Sequence, residues 1–277
     1  PTFAGFRAQT IDDKISIGYG LAVADVDGDG KPDILLVDSA ETVWYQNPTW
    51  EKRRITGKLT PKDHVCVCAK DIDGDKKAEI AIGAEWAPND TKDSGAVFAL
   101  FPKTDRNEPW TEKALHREPT THRMHWVLEK PGVNFLAVLP LHGCDNVKGE
   151  GPGIKFLGYR PETDPAKDWQ TFLLHEGFHM AHNFDPIVWD KSDAGESLLV
   201  GEQTGDVGQV DFSDLQRLAS GGLEQAFDEQ HVGEQPGQMP GLTAEQCGGF
   251  LLGQAGQAFD GGRQFAPLKA FARAVAA

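Results

Sequence analysis

Carboxylates recur at every second position in one short stretch of the chain, residues 25–33. The stretch reads DVDGDGKPD, with acids at loop positions 1, 3, 5 and 9 and glycines at positions 4 and 6. Acids in this spacing can converge on one hard cation, and Ca²⁺ takes about six to eight oxygen ligands at flexible geometry. The spacing therefore predicts a calcium site whose ligands are Asp25, Asp27, Asp29, the carbonyl oxygen of Lys31, and Asp33. The alternative interpretation is a solvated acidic turn without a metal.

The same unit returns 46 residues later, since 71 − 25 = 46, in residues 71–79. Its predicted calcium ligands are Asp71, Asp73, Asp75, the carbonyl oxygen of Lys77, and Glu79. Lys76 stands where the first loop has Gly30, at a turn position that favours positive φ. A side chain there costs on the order of 1 kcal/mol of backbone strain. The second loop is therefore expected to bind calcium more weakly than the first.

Short apolar runs flank the loops and indicate strands rather than helices. Residues 21–24 precede the first loop, 34–37 follow it, and 80–83 follow the second loop. This separates both loops from an EF-hand, in which the calcium loop joins two helices. A repeat spacing in the forties with strands on both sides of a turn is typical of four-stranded propeller blades.

The chain divides into four such units, followed by a segment in which the pattern ends. The expected blades are residues 15–57, 58–115, 116–173 and 174–213, and the last two lack the acidic loop. Residues 214–277 form an atypical C-terminal segment rich in Gly and Gln, in which 267–276 favour a helix over a strand. We therefore expect propeller blades over residues 1–213 and a different organisation after them.

The D-x-D-G-D-G-x-x-D loop, together with the following residues 43–48, resembles the FG-GAP and VCBS repeats of calcium-binding β-propellers. Residues 121–126, 140–143 and 179–185 resemble a narrower group, the seven-bladed rhamnose–glucuronate polysaccharide lyases and the propeller domain of aldos-2-ulose dehydratase. This resemblance, over about residues 15–212, implies a carbohydrate substrate, β-elimination chemistry, and an extracellular or periplasmic location. Seven blades of ~45–50 residues need about 330 residues. The expected fold is thus an all-β propeller of four-stranded blades, incomplete relative to a seven-bladed ring.

One repeat position carries aromatic or imidazole side chains in three of the four units. Six residues before the first loop position lie Tyr19, Val65 (beside His64), His122 and His182. If each unit places this strand nearest the propeller axis, the side chains meet around a central channel, as an active site on a propeller face requires. A single histidine on a strand is more often a satisfied core or surface residue. The recurrence at one repeat position keeps both interpretations open.

The resemblance assigns roles to these histidines. In the lyases, a His or Tyr removes the proton α to a uronate carboxylate, and nearby donors stabilise the resulting charge. Histidine suits proton abstraction because its pKa lies near neutrality. His142 is the first candidate base, His122 is its partner, and His182 and Tyr19 complete the catalytic set. The candidate substrate-binding residues are Arg123, Asn146, Lys148 and Asn183.

Two alternatives remain beside the lyase or dehydratase interpretation. The first is a histidine zinc site, but His122 and His125 are three residues apart, as are His179 and His182. That spacing on a strand points the two side chains to opposite faces. The second is a non-catalytic, calcium-stabilised propeller that binds a glycan or a protein.

Composition limits the partners of the chain. A net charge of −15 argues against nucleic acid, because phosphate binding needs a basic surface. No apolar run approaches the roughly 20 residues of a membrane-spanning helix, so no membrane partner is expected. Cys66, Cys68 and Cys144 are interpreted as small buried residues rather than as metal or redox groups. The sequence leaves the oligomeric state open.

Overall fold

The computed structural model describes residues 7–188, 195–202 and 207–210, of which 202 and 207–210 are described by their backbone alone. The described residues from 11 onward belong to one compact unit. Residues 7–10 fall outside that unit and are exposed and irregular. The predicted boundary between residues 213 and 214 and the predicted helix over 267–276 lie outside the described residues.

The regular elements in these ranges are all strands, arranged in four antiparallel sheets. Blade 1 contains β1 (Gly20–Ala24), β2 (Asp33–Val37), β3 (Thr42–Gln46) and β4 (Glu51–Thr56). Blade 2 contains β5 (Cys66–Lys70), β6 (Glu79–Ala84), β7 (Ala96–Phe101) and β8 (Thr111–Ala114). Blade 3 contains β9 (Thr121–Lys130), β10 (Val133–Pro140), β11 (Lys155–Tyr159) and β12 (Thr171–Glu176). The described strands of blade 4 are β13 (Ala181–Ile187), β14 (Ser197–Glu202) and β15 (Val207–Val210).

Each acidic loop connects two neighbouring strands of one blade. In blade 1 the β1–β2 register pairs Ala24 with Asp33, at the two ends of the first loop. In blade 2 the β5–β6 register pairs Lys70 with Glu79 in the same way. The predicted strand–loop–strand arrangement is confirmed. Over the described residues, three four-stranded sheets and a fourth sheet with three described strands follow one another as blades of a β-propeller.

Apolar side chains pack between blades 1 and 2. Leu35 and Trp44 of blade 1 are fully buried in one cluster with Val67, Ile80 and Ile82 of blade 2. The β-branched and aromatic residues of these strands suit a pleated surface that is packed on both faces. Burial of apolar surface stabilises a protein by about 25 cal/mol per Å², so such contacts are the main force that holds neighbouring blades together.

The same kind of packing continues along the chain. Cys68 of blade 2 packs with Trp126 and Leu136 of blade 3, and the opposite face of blade 3 packs against Phe184 and Leu198 of blade 4. Blade 3 is thus covered on both faces, which explains why most of β10 is buried.

Blade 1 differs from blade 2 at two repeat-equivalent positions. Leu21 is 58% exposed, whereas Val67, 46 residues later, is 9% exposed because it packs on blade 1. Val23 is 61% exposed, while the equivalent Ala69 packs into the same cluster as Val67. The residues that join blade 2 to its predecessor therefore have exposed counterparts in blade 1.

Three expectations need correction or comment. The predicted third blade ended at residue 173, but β12 extends to Glu176 because His175 and Glu176 continue the pairing with Phe156 and Lys155 across a bulge. Cys144 is exposed in a loop, so its interpretation as a buried residue was wrong. No helix in the described ranges has the length and apolarity needed to cross a membrane.

Candidate functional site

The first acidic loop holds three of its carboxylates close together. One oxygen from each of Asp25, Asp27 and Asp29 lies within 4.8 Å of the others. The backbone amides of Gly28 and Gly30 donate hydrogen bonds of 2.7 and 2.8 Å to the two oxygens of Asp25. The glycines reach these positions with φ of 82° and 81°, in the left-handed region that favours glycine. The loop therefore folds around the carboxylate at its first position.

Asp33 lies at the base of this loop and outside the group of three. Its side chain is fully buried and accepts hydrogen bonds from the amides of Val26 at 2.9 Å and Asn47 at 2.8 Å. Burial raises the pKa of Asp33 to about 6. The Lys31 side chain, at the rim, forms an ion pair of 2.5 Å with Asp29. Asp33 thus anchors the loop to the chain that joins β3 to β4.

The second loop repeats this geometry with Glu79 in place of Asp33. Asp71 accepts hydrogen bonds from Gly74 at 2.7 Å and Lys76 at 2.9 Å, while Glu79 accepts one from Ile72 at 3.0 Å. The converging group here is Asp71, Asp73 and Glu79. Glu79 belongs to it, although Asp33 does not, because its side chain is one methylene longer. Burial raises the pKa of Glu79 to about 7.

Two further predicted residues of the second loop are placed as follows. Asp75 accepts a hydrogen bond of 2.7 Å from the amide of Lys77. The Lys77 side chain lies over Gly28 of the first loop, with its Cγ 3.0 Å from the position that a Cβ of Gly28 would take. Lys76 has φ of 71°, so the predicted left-handed conformation at this position is confirmed.

The donor set of both loops suits a hard divalent cation. All side-chain donors are carboxylate oxygens, the ligands that Ca²⁺ prefers. The raised pKa values of Asp33 and Glu79 show that burial disfavours their charged forms, and a cation would reverse that effect. Arg106 is a positive group near the loops, and its Nη1 donates to the carbonyls of Val26 at 2.7 Å and Ala78 at 3.3 Å.

A second cluster of polar side chains lies at the start of β9 and β13. His122 of β9 stacks on Trp86, with ring centroids 4.8 Å apart and planes at 20°. The His122 ring also meets the edge of His182 of β13, at a centroid distance of 4.6 Å. Trp86 follows β6, so blades 2, 3 and 4 each contribute one ring. This meeting of His122 and His182 agrees with the expectation from their shared repeat position.

Arg123 joins these histidines to Asn183. Its Nη1 donates to the carbonyl of His122 at 2.9 Å and lies 3.3 Å from His122 Nδ1. Its Nε donates to Asn183 Oδ1 at 3.0 Å. A guanidinium group is therefore held beside both imidazoles, even though alternation along a strand gives neighbouring residues opposite directions.

Burial favours the neutral forms of His122, His182 and the nearby His142. Burial, followed by the charge of Arg123, lowers the pKa of His122 from 6.5 to about 2. Burial and then Arg123 also lower the pKa of His182, and burial lowers the pKa of His142. Neutral imidazoles can act as bases, as hydrogen-bond donors or as metal ligands. Among the described residues, however, groups of three converging His, Cys, Asp or Glu ligands occur in the acidic loops and not at the histidines.

His142 is half-buried beside the same cluster, close enough to His122 that protonation of one ring disfavours protonation of the other. Its backbone is held by Thr120, whose hydroxyl accepts from the His142 amide at 2.9 Å and donates to its carbonyl at 3.1 Å. Two buried ring nitrogens of the cluster, His122 Nε2 and His142 Nδ1, have no hydrogen-bond partner in the described part of the chain. Native proteins rarely bury such atoms unpartnered, and each one calls for an explanation.

Tyr19 is connected to the histidine cluster indirectly, through Asp63 and Trp86. Its hydroxyl donates to Asp63 Oδ2 at 3.2 Å, and the Asp63 carbonyl accepts from the Trp86 amide at 3.1 Å. Burial and Asp63 raise the pKa of Tyr19 to about 12. In this structure the Tyr19 phenol is therefore a hydrogen-bond donor to Asp63.

Two predicted substrate-binding residues occupy the loop after His142. Asn146 is 2% exposed. Its Nδ2 donates to the carbonyls of Pro152 at 3.1 Å and His179 at 3.3 Å, and its Oδ1 accepts from the backbone amide of Gly149 at 2.9 Å. Asn146 therefore positions the loop. Lys148 is exposed, and its side chain forms no ion pair or hydrogen bond within the described ranges.

Trp86 and Asp63 were not identified from the sequence. Neither has a counterpart of its own type at the equivalent position of blade 1, where Ala40 and Ile17 stand. Only one feature of the sequence hinted at a role for Trp86, which is a large aromatic residue two positions after a strand of the repeat.

Comparison with known families supports the repeat. Residues 25–82 match the model of the FG-GAP-like repeat family, a range that runs from the first acidic loop into β6. No curated protein matches the chain. The chain thus carries an FG-GAP-like repeat across its two acidic loops.

Proposed function

We propose that this protein is a carbohydrate-active lyase or dehydratase that acts by β-elimination on an acidic or keto sugar, with a rhamnose–glucuronate glycan as the favoured substrate. One observation carries the proposal: histidines from two blades, whose neutral forms burial favours, meet beside a partly buried arginine. β-Elimination next to a carboxylate needs a base and a positive group that lie side by side, so that one takes the proton while the other binds the carboxylate.

The elimination places two demands on the site. A base takes the proton from the carbon α to the carboxylate, and the C–H electron pair becomes the new double bond. The C–O bond at the β carbon breaks with its electron pair going to the oxygen of the leaving sugar, which takes up a proton to become a hydroxyl. Charge builds up on the carboxylate during proton removal, and its stabilisation is often the largest catalytic contribution. His142 is the proposed base because it is half-buried, burial favours its neutral form, and its Nδ1 has no hydrogen-bond partner among the described residues. His182 is the second partly exposed imidazole of the site.

Arg123 is the proposed carboxylate-binding group. Its Nε and Nη1 are engaged with Asn183 and His122, while its Nη2 forms no hydrogen bond within the described residues. A chain with a net charge of −15 repels an acidic sugar over most of its surface, so a local cation is required.

We also propose that Ca²⁺ is a structural cofactor of this propeller. The first site would use Asp25, Asp27, Asp29, Asp33 and the Lys31 carbonyl. The second would use Asp71, Asp73, Asp75, Glu79 and the Lys77 carbonyl. The ion would supply positive charge to carboxylates that burial disfavours. Adding calcium to a chelated sample should raise the melting temperature, because a ligand of the folded state alone stabilises it. The same addition to a protein with Asp25→Asn and Asp71→Asn should have a smaller effect.

A second function, a non-catalytic propeller that binds a glycan or protein, has one observation in its favour. His122 is 6% exposed and is enclosed by Trp86 and His182, as a core histidine would be. In that case the histidine cluster has a structural role, and the acidic loops stabilise a propeller that binds its partner without chemistry.

Absorbance of an unsaturated uronate, formed from a rhamnose–glucuronate glycan, separates the two functions. We expect the wild-type protein to form this product, and His142→Ala to lower kcat by ~10²–10⁴-fold with little change in KM. His116→Ala is the control, since His116 is exposed and paired with Glu118. Glycan binding by calorimetry without any product from the wild-type protein would support the binding module instead.

A further inference from the structure

The contact between Arg123 and His122 identifies which nitrogen of the imidazole carries the proton. Arginine has N–H donors and no acceptor. Its Nη1 lies 3.3 Å from His122 Nδ1 with hydrogen-bond geometry, so Nδ1 must be the acceptor. A neutral imidazole that accepts at Nδ1 carries its proton on Nε2.

We propose that Arg123 fixes His122 in its Nε2–H form, so that His122 is a hydrogen-bond donor of the site and not a base. The functional part of this inference rests on the proposed lyase function, whereas the protonation state itself does not. It gives a defined role to His122, which the resemblance named only as the partner of the candidate base His142.

The surroundings of His122 oppose both other protonation states. An imidazolium would place an Nδ1–H against the guanidinium, with two donors and two positive charges facing each other. The Nδ1–H neutral form has the same conflict between donors. The stacked contact with Trp86 and the edge contact with His182 hold the ring plane, and a half-turn within that plane would put a ring C–H against Arg123 in place of the acceptor Nδ1.

The Nε2–H donor that results has no partner among the described residues and is buried. His122 as a whole is 6% exposed. A buried donor without an acceptor destabilises the folded state unless a ligand supplies one. The ligand atom that fits is an oxygen acceptor, either a sugar hydroxyl or the carboxylate oxygen on which charge develops in β-elimination. His142 keeps the role of base: its Nδ1 has no partner in the described chain, and the ring contact that is present is a hydrogen bond with the backbone of His179 rather than with a cation.

Nitrogen NMR of the histidine rings in the full chain tests the protonation state without any substrate. We expect His122, assigned by the signals lost in His122→Gln, to show a protonated Nε2 and an unprotonated Nδ1 from about pH 5 to about pH 8. Arg123→Met should shift the ring toward a mixture of the two neutral forms. Asn183→Ala, which removes the other side-chain partner of Arg123 together with a hydrogen bond to His182, should leave the Nε2–H form in place. A wild-type His122 with a protonated Nδ1 overturns the proposal, whether or not the Arg123 variant folds.

Kinetics on the glycan separate a donor from a base at position 122. The amide of Gln can place an N–H near the position of Nε2, whereas Leu offers none. We expect His122→Leu to lower kcat by ~10²–10³-fold, as loss of a donor to a developing charge does. His122→Gln should recover at least a factor of about 10 of that loss. Equal loss in both variants, matching His142→Ala, indicates a base. If the wild-type protein has no lyase activity, the proposed function fails, and the NMR spectrum still decides the protonation state.

Discussion

The backbone amide of Ala78 donates a 2.8 Å hydrogen bond to the carbonyl oxygen of Asp25, and this bond joins the two acidic loops directly. Arg106 spans the same junction through its bonds to the carbonyls of Val26 and Ala78. Its guanidinium also lies 5.0 Å from the centre of the Trp110 ring. The two loops are therefore one structural unit across the interface between blades 1 and 2.

Arg106→Met should lower the free energy of unfolding by about 1–3 kcal/mol, because it leaves two carbonyls without their charged donor and removes a cation from an acidic region. Urea denaturation measures this directly. Arg54→Met is the matched control, since Arg54 is 64% exposed and its ion pair with Glu41 is on the surface. The control should stay within about 0.5 kcal/mol of the wild-type protein. Equal effects of the two substitutions would show that Arg106 does not hold the junction.

The residue at one turn position, Gly30 in the first loop and Lys76 in the second, should determine which loop binds calcium more strongly. Gly30 and Lys76 adopt φ of 81° and 71°, and no atom lies within 4 Å of a Cβ built on Gly30. The difference between the loops at this position is therefore backbone strain, on the order of 1 kcal/mol. Calorimetry should show stronger calcium binding by the second loop in Lys76→Gly and weaker binding by the first in Gly30→Lys. Weaker calcium binding in Lys76→Gly contradicts the strain argument.

The acidic loops were predictable because their structure is local. Asp25 bonds amides three and five residues away, and the repeat spacing places Asp71 in the same relation to its own loop. The left-handed conformation of Lys76 followed from the alignment of that residue with a glycine.

The histidine cluster was predictable only in part. The shared repeat position indicated that His122 and His182 would meet, because repeated strands place equivalent residues around one axis. The ring that stacks on His122 could not be predicted. Trp86 is 36 residues before His122 in the sequence (122 − 86 = 36), and the equivalent position of blade 1 has no aromatic residue. The bond from Arg123 to Asn183 likewise depends on how two blades approach each other, which the sequence of neither blade specifies.

Repeat-equivalent positions in blades 1 and 2 should respond differently to the same change. Val67→Ser should destabilise the protein by about 1–3 kcal/mol, because Val67 is buried between the two blades and a hydroxyl there loses apolar contact. Leu21→Ser, at the equivalent exposed position, should change stability by no more than about 0.5 kcal/mol in the same denaturation assay. A large loss at Leu21 would mean that its side chain is covered in solution, and gel filtration would then show whether a second copy covers it.

Acid should destabilise the protein through His122, and the sign of the effect follows from its lowered pKa. The pKa is 6.5 for an ordinary histidine and about 2 in the folded protein. Above pH 6.5 both states are neutral at this residue, so it contributes no pH dependence. Below pH 6.5 the unfolded chain binds a proton that the folded chain does not, and stability falls by about 1.4 kcal/mol per pH unit.

His122→Gln should therefore flatten the acid side of the stability curve. Relative to the wild-type protein, the loss of stability from pH 8 to pH 5 should be smaller by about 2 kcal/mol. The raised pKa values of Asp33 and Glu79 act in the opposite direction, since folded carboxyl groups then bind protons more readily than unfolded ones. Those groups are present in both proteins, so the difference between the two curves isolates His122. Urea titrations at both pH values measure it, and parallel curves would show that His122 gains its proton in the folded state as easily as in the unfolded chain.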